Sequence, residues 1–592
     1  MGKFYVTNEK EWDALLHSCF AEGGWNESAR FETGSCFVTL YAKRSLPNEN
    51  AVSIEGDFAA CAGTLFYKGL FSRDALTQLA KDARNHSIDE LRKHMNGSYV
   101  AIVKHGDIIR VFVDETCTYH IYYAFRNNRY LLSNTYYHLE KCVKGGVCGA
   151  ALWDKGIRGG LSGKQTPYEG VFLLGAEEYL EIDAKSDAFR VKPCALNDYS
   201  RAFGNREDAL DSIWNAADKI CALRSQYLKK QILFLTGGVD SRLQLAMSLY
   251  HHEKPLLAYW TGGDVITNGS EWDLNINREI AEKYGLQSVC YDVSQDFSEA
   301  LRGLNLSFSD RYGEYASKYA GNRKWFSIFE NLKGFDYIDT GAFGEVLRPL
   351  GELEQAYSKS MKLEKFVENV YCRSQVQNAL RSPKAVYDAI SREIRHYYPC
   401  PKNDGNFSKD DYFRIFNCSR FSADTIIRNL YNMYAYSFTV LTEKRIADLA
   451  FSVPYEWLRG DWLAIALTEK WAPSLLDIPY YSHHHTVLCD KNTLTLSNMG
   501  SYSLLSTLRP ILKKTFLYWT LYLNYFEKIL RPDTAANNEI FLQCMDTLNH
   551  SATIRNSGLK IRNLKNRSGA ELPQFATFTA DVKISDNLLG LV

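Results

Sequence analysis

The sequence predicts an α/β chain built in two folded halves: an antiparallel β-sandwich with helices, then a doubly wound parallel sheet with added helices. Three observations carry this. Between residues 34 and 134 the apolar and β-branched residues fall in short runs separated by tight-turn formers, the pattern of consecutive antiparallel strands. From residue 231 onward apolar runs of strand length alternate with stretches of helical period, the pattern of a parallel sheet with crossovers. At 592 residues, 46% apolar and 23% charged, the chain is too long for one core and globular in composition.

In the first half, residues 36–41, 51–58 and 62–67 read as strands, and 73–85 and 88–94 as helices. The run 95–103, the turn at His105-Gly106-Asp107 and the run 108–113 form a hairpin. Strands at 121–125 and 130–133 follow, and closing strands at 168–174, 179–182 and 188–191. Polar residues 197–205 mark the linker, and a helix over 207–228 leads into the second half. There, 232–235, 256–261 and 289–293 are strands and 273–284 is a helix. Residues 363–380, 384–396, 410–416, 422–436 and 442–450 read as helices. The expected units are 1–195, 207–500 and a helical extension over 501–592.

The chemistry gathers in residues 231–250, QILFLTGGVDSRLQLAMSLY. An apolar strand runs directly into Thr236-Gly237-Gly238, then Val239-Asp240-Ser241, then a helix with Leu243, Ala246, Met247 and Tyr250 at helical spacing. Two glycines permit a sharp turn and let a ligand approach the amides, and the positive helix end suits an anion such as pyrophosphate. Asp240 repels a phosphate, so its role in such a loop is to hold Mg2+ between carboxylate and phosphate oxygens. Arg242 opens the helix and adds positive charge near the phosphates. A strand-to-helix turn with an ordinary Asp/Ser cap is the plain alternative.

Two stretches carry a family resemblance. NGSYVAIV…VFVDETCTYHIYYAFRNNRYLLSN resembles the N-terminal glutaminase domain of asparagine synthetases and related amidotransferases, with Asp114 and Ile121-Tyr122-Tyr123 at the expected places. TGGVDS is similar to the pyrophosphatase-type loop shared by the asparagine synthetase C-terminal domain, β-lactam synthetases, lasso-peptide cyclases and tRNA-thiolating enzymes. The resemblance implies an ATP site in which Thr236, Gly237, Gly238, Val239 and Ser241 hold pyrophosphate and Asp240 binds Mg2+, with Thr261 at the end of the second strand beside them. Residues 271–281, EWDLNINREIA, resemble the family's Asp-containing helix start. Residues 337–346, YIDTGAFGEV, match its Ser/Thr-Gly-x-Gly-x-Asp element, which places Gly341 at the nucleotide, Glu345 as the second metal carboxylate and Phe343 where the family has glycine.

The family's glutaminase nucleophile is a cysteine directly after the initiator methionine, activated by its own amine. Here that residue is Gly2, and the first cysteine is Cys19 within a helix, so the fold is expected without glutaminase chemistry. The family's late lysine, after a final proline, is replaced: Pro479 precedes Tyr480-Tyr481-Ser482 and His483-His484-His485. Lys470 and the three histidines are the candidate cations.

The implied activity is an ATP-dependent, AMP- and pyrophosphate-forming amide ligase, in which a carboxylate is adenylated and then attacked by ammonia or a substrate amine. The acid is a small-molecule, peptide or glycan carboxylate. A tRNA-modifying pyrophosphatase and a catalytically degenerate binding or scaffold protein are the competing readings. Lys plus Arg equals Asp plus Glu, 69 each, which gives no general attraction to nucleic acid or anionic membrane. The 14 cysteines contain no C-x-x-C pair, against a structural zinc site or a disulfide scaffold. The start, MGKFYVTNEKEWDALL, lacks a long apolar run, and residues 516–526 are too short for a bilayer. Cytoplasm is the expected location, with no membrane span, and a homodimer is among the expected assemblies.

Overall fold

In the computed structural model the described residues are 2–46, 50–158, 160–161, 163–261, 271–293, 306–315, 324–349, 361–368, 384–397, 406–424, 426–481 and 488–489. The expectations for His483 to His485 and for 501–592 lie outside them, as do residues 369–380 of the expected helix 363–380.

The first half is a four-layer sandwich. One six-stranded antiparallel sheet has the order β13-β11-β12-β1-β3-β2, with β1 Lys3–Thr7, β2 Glu27–Thr33, β3 Cys36–Tyr41, β11 Tyr122–Arg126, β12 Arg129–Ser133 and β13 Val171–Leu173. The other has the order β15-β14-β10-β9-β5-β4, with β4 Ala51–Ile54, β5 Asp57–Gly63, β9 Tyr99–His105, β10 Ile108–Val113, β14 Glu178–Asp183 and β15 Ala188–Pro193. The short strands β6 Phe66–Tyr67, β7 Leu70–Phe71 and β8 Met95–Asn96 form a third, small sheet. Between the large sheets Phe4, Val6, Val38 and Leu40 pack with Ile102, Val111, Leu132 and Leu180. Tyr5, whose side chain points the other way along β1, packs with Leu16 and Phe20 of α1 (Lys10–Glu22). On the far side, Ala75, Leu76 and Leu79 of α2 (Ser72–Asp82) cover Ala59, Ala101, Val103 and Phe112. Helices α3 (Ile88–Arg92), α4 (Tyr136–Val143) and α5 (Gly149–Arg158) follow in this half.

Two strand expectations are corrected. The stretch 51–58 is not one strand, because Glu55 and Gly56 turn with φ of 53° and 84°, and the chain pairs back as β4–β5. Two successive positive φ values make the tight hairpin turn that matches strand twist. As a result β5 spans Asp57–Gly63, and only Phe66–Tyr67 of the stretch 62–67 forms another strand. The central strand β1 was not among the expected strands at all. It is buried on both faces, so it lacks the in-out alternation that marks a half-exposed strand.

The second half holds a four-stranded, wholly parallel sheet of order β18-β17-β16-β19, with β16 Gln231–Phe234, β17 Leu256–Thr261, β18 Ser288–Asp292 and β19 Tyr337–Thr340. The chain builds outward from β16 through β17 to β18, then returns to add β19 on the opposite side of β16. That reversal makes the carboxyl ends of β16 and β19 a topological switch point, where ligands sit in open α/β sheets. Helices α6 (Arg206–Tyr227), α7 (Val239–Tyr250) and α8 (Glu271–Tyr284) accompany the sheet, and Trp462–Trp471 packs on α7. The expected helix 410–416 extends over Lys409–Asp424, and within the expected helix 422–436 Ile426–Tyr434 is helical. Among the described residues no helix is long and apolar enough to cross a membrane.

Candidate active site

The switch point is occupied by residues 236–241. β16 is buried throughout, which fixes where the chain leaves the sheet. Gly238 is the residue before α7, with φ −76° and ψ 162°, and among the described residues no side chain caps the helix. The first N–H groups of a helix have no partner within it, so this end of α7 is a donor cluster with a positive dipole and no side-chain cap. Among the described residues a Cβ on Gly238 would touch only Thr236 Oγ1, at 3.5 Å.

The remainder of the loop is held by its own hydroxyls, by Asp273 and by the close approach of Gly341. The Thr236 N–H donates to Ser241 Oγ at 3.1 Å, and the two hydroxyls lie 3.0 Å apart. The Gly237 N–H donates to Asp273 Oδ1 at 2.7 Å, and the Tyr259 hydroxyl donates to Asp273 Oδ2 at 3.3 Å. From the neighbouring strand, Gly341 packs so closely that a Cβ there would collide with the backbone nitrogen of Ser241. The structure thus brings Thr236, Gly237, Gly238, Ser241 and Gly341 together. Thr261 stands at the carboxyl end of β17 with its hydroxyl 3.7 Å from Cys290 Sγ.

Asp240 meets a residue that sequence reasoning missed. Arg348 donates Nε to Oδ1 at 2.9 Å and Nη2 to Oδ2 at 2.5 Å, a fork-to-fork ion pair. The guanidinium side chain is 0% exposed and the carboxylate side chain 13%. Asp461 Oδ1 lies 3.8 Å from Arg348 Nη1. Burial pulls the Arg348 pKa down, but Asp240, followed by Asp461 and Glu345, outweighs it and holds the value above the ordinary one. A Cβ on Gly344 would coincide with the Asp240 carboxyl group, so backbone lies directly against this carboxylate. Phe343, at φ 71°, holds the left-handed turn that leads into the 3-10 turn Gly344–Leu347 and returns Arg348 to the loop.

This arrangement does not fit Mg2+ on Asp240. Magnesium takes oxygen ligands in a near-octahedral shell and keeps several waters. Both Asp240 oxygens already accept from Arg348, and Gly344 closes the space beside them. Among the described residues no group of three or more His, Cys, Asp or Glu is placed to hold a metal ion.

Arg242 and Lys470 are not at the loop's phosphate side. Arg242 is fully buried and donates Nη1 to the carbonyls of Leu475 (2.7 Å) and Ile478 and Nη2 to that of Pro479 (2.7 Å). Burial lowers its pKa to about 10. At the fourth position of α7 its side chain runs back along the helix, as helical side chains do, and fastens the 475–479 segment. Lys470 pairs with Asp211 on α6 and lies 4.7 Å above the ring of Trp214. Both of these partners stand on α6 and neither belongs to the loop 236–241.

In the first half, Gly2 is buried and its N–H donates to Tyr41 O at 3.0 Å. A Cβ there would lie 2.7 Å from Trp25 Cζ3, 3.0 Å from Ala42 O and 3.2 Å from Met433 O. Nearby, Thr64 Oγ1 bonds Asn432 Oδ1 at 2.8 Å and Lys43 Nζ donates to Asn432 O at 2.6 Å. Glu443, from the second half, accepts from the Gly97 N–H at 2.7 Å and from Asn96 Nδ2 at 3.2 Å. Two converging donors of this kind suit an oxyanion, and the carboxyl group of Glu443 fills them. Burial, aided by Asp114 and Glu115, pushes the Glu443 pKa up to about 8. Asp114 accepts from the N–H groups of Tyr99, Thr118 and Tyr119, so it holds the turn after β10.

No family model matches the chain, and no curated protein matches it. Among solved structures it is similar to glutamine phosphoribosylpyrophosphate amidotransferase from B. subtilis, complexed with ADP and GMP, at 9% identity and TM-score 0.22, covering 49% of this chain and 90% of that one. It is similar to the allosteric regulatory enzyme of purine biosynthesis at 9% identity and TM-score 0.24, covering 49% and 80%. Glutamine-dependent NAD+ synthetase from Acinetobacter baumannii, in complex with ADP, matches at 16% identity and TM-score 0.16, covering 28% and 29%.

Proposed function

We propose that the chain is an ATP-dependent amide-forming ligase that adenylates a carboxylate and passes the acyl group to ammonia or an amine. The observation that carries this reading is the loop 236–241 at the switch point, with an uncapped helix α7 behind it and Gly341 packed against it. A carboxylate is a poor acyl donor, and adenylation solves that by giving it a good leaving group. The carboxylate oxygen attacks the α-phosphorus of ATP, the bond to the β-phosphate oxygen breaks, and pyrophosphate leaves. An amine then attacks the acyl carbon, AMP departs, and the amine loses a proton.

In this reading the N–H groups at the start of α7 hold the departing pyrophosphate, and the Thr236–Ser241 hydroxyl pair orients the loop. Asp273 positions Gly237 by accepting its N–H. Gly2 carries no nucleophile, and Glu443 occupies the donors at Asn96 and Gly97. Glutamine is therefore not the nitrogen source in this proposal, which leaves free ammonia or an amine on the substrate. Residues 1–195 then act as a folded cover on the synthetase half, and Lys470 is not assigned to the chemistry.

A second reading, a binding or scaffold protein without turnover, is favoured by the internal commitments of Asp240 and Gly237. ATP–pyrophosphate exchange measured across a panel of carboxylic acids tests the ligase. Exchange with one acid class is the expected result. Absence of exchange with every acid, in a protein that binds ATP normally, removes the ligase and leaves the scaffold.

A further inference from the structure

We infer that Arg348 takes the place of a divalent cation at Asp240, so that the loop takes up a polyphosphate such as ATP or pyrophosphate with no metal ion on that carboxylate. The inference rests on the reading of residues 236–241 as a nucleotide loop. A carboxylate at the start of a phosphate-binding helix needs a cation, since a bare negative charge beside a polyphosphate repels it. Here the cation is part of the chain. Arg348 contacts both Asp240 oxygens, and its side chain is wholly buried.

Three further features argue that this pair persists when an anion arrives. The approach of Gly344 to the Asp240 carboxyl group leaves no room for a hydrated ion between them. Displaced from Asp240, the buried guanidinium would lose both of its short contacts and keep, among the described residues, the weaker attraction of Asp461, at 3.8 Å, and of Glu345. Nη1 of Arg348 has no hydrogen-bond partner among the described residues, so one donor of the buried cation remains available. The Phe343 turn and the 3-10 turn after it deliver the arginine to this place, so the cation is positioned by the same β19 turn that supplies Gly341.

Calorimetry of the full chain with ATP, and separately with pyrophosphate, in excess Mg2+ and in EDTA, reads the metal dependence without any variant. The expected result is a dissociation constant that differs by less than about threefold between the two conditions. The isosteric Asp240→Asn variant adds a difference in sign. If Arg348 is the cation, removing its counter-charge tightens pyrophosphate binding in EDTA. If Asp240 holds a metal, the same change weakens Mg2+-supported binding about tenfold or more. Binding that requires Mg2+, together with weakening in Asp240→Asn, overturns the inference and leaves the nucleotide reading intact. Failure of the folded wild-type chain to bind either ligand in either condition overturns both.

Discussion

Asp240 and Arg348 form a pair whose partners are not equally replaceable. Arg348→Met leaves Asp240 without its cation in a site only 13% exposed, and breaking a buried pair from one side costs about 3 kcal/mol. Removing both charges, with Asp240→Leu added, is expected to restore most of that loss, because two apolar side chains need no counter-charge. Urea denaturation of the two single variants and the double variant measures the coupling. Additive losses would mean that the pair is not what holds Arg348 in place. Gly344 is constrained differently: its missing Cβ is the space that the Asp240 carboxyl group fills. Gly344→Ala is expected to cost about 2 kcal/mol through overpacking, read in the same denaturation experiment, and to weaken ATP binding.

At the scale of the element, the turn after β19 shows one effect winning over another. Phe343 sits at φ 71°, which costs a side-chain-bearing residue about 1–2 kcal/mol. Its ring is buried among the core side chains, and losing a buried phenylalanine costs about 3–5 kcal/mol. Burial outweighs strain, so Phe343→Gly is expected to destabilise by about 2 kcal/mol, even though glycine suits the backbone. A thermal melt showing Phe343→Gly equal to or above wild type would reverse that ranking. The same turn marks how far the sequence could be read. β16, its glycine pair and α7 were legible because an apolar run, a breaker and a helical period follow one another within twenty residues. Gly341 was reachable through a contiguous motif, whereas Glu345, read there as a metal carboxylate, acts as a further negative charge on Arg348. Arg348 was not, since its partnership with Asp240 spans 108 positions and depends on a 3-10 turn that no periodicity announces. Arg242 misled for a related reason. A cation at a helix start suggests phosphate, but its long side chain reaches the carbonyls of 475–479 instead.

The two halves meet at a polar seam in which Thr64, Asn96 and Gly97 of the first bind Asn432, Ser437 and Glu443 of the second. None of these contacts has a local signature, because each joins residues more than 340 positions apart. The seam predicts a pH dependence of stability. Glu443 titrates near 8 when folded, raised chiefly by burial, with Asp114 and Glu115 adding to it and the Gly97 and Asn96 donors opposing it. In the unfolded chain a glutamate titrates at about 4.3. Between these values the folded protein binds the extra proton, so this group's contribution is fully present below about 4.3 and is lost as pH rises towards about 8. Glu443→Gln has no proton to lose. Its carbonyl accepts from Gly97, and a rotated Asn96 amide accepts from its NH2, so the seam keeps its hydrogen bonds. The variant should therefore gain on wild type as pH rises, with the difference in melting temperature widening between about pH 5 and about pH 8 and levelling above. Calorimetric melts of both proteins across that range decide the matter. A difference that stays constant with pH would mean that Glu443 is already ionised in the fold, and that the Gly97–Asn96 donors hold a carboxylate rather than a carboxylic acid.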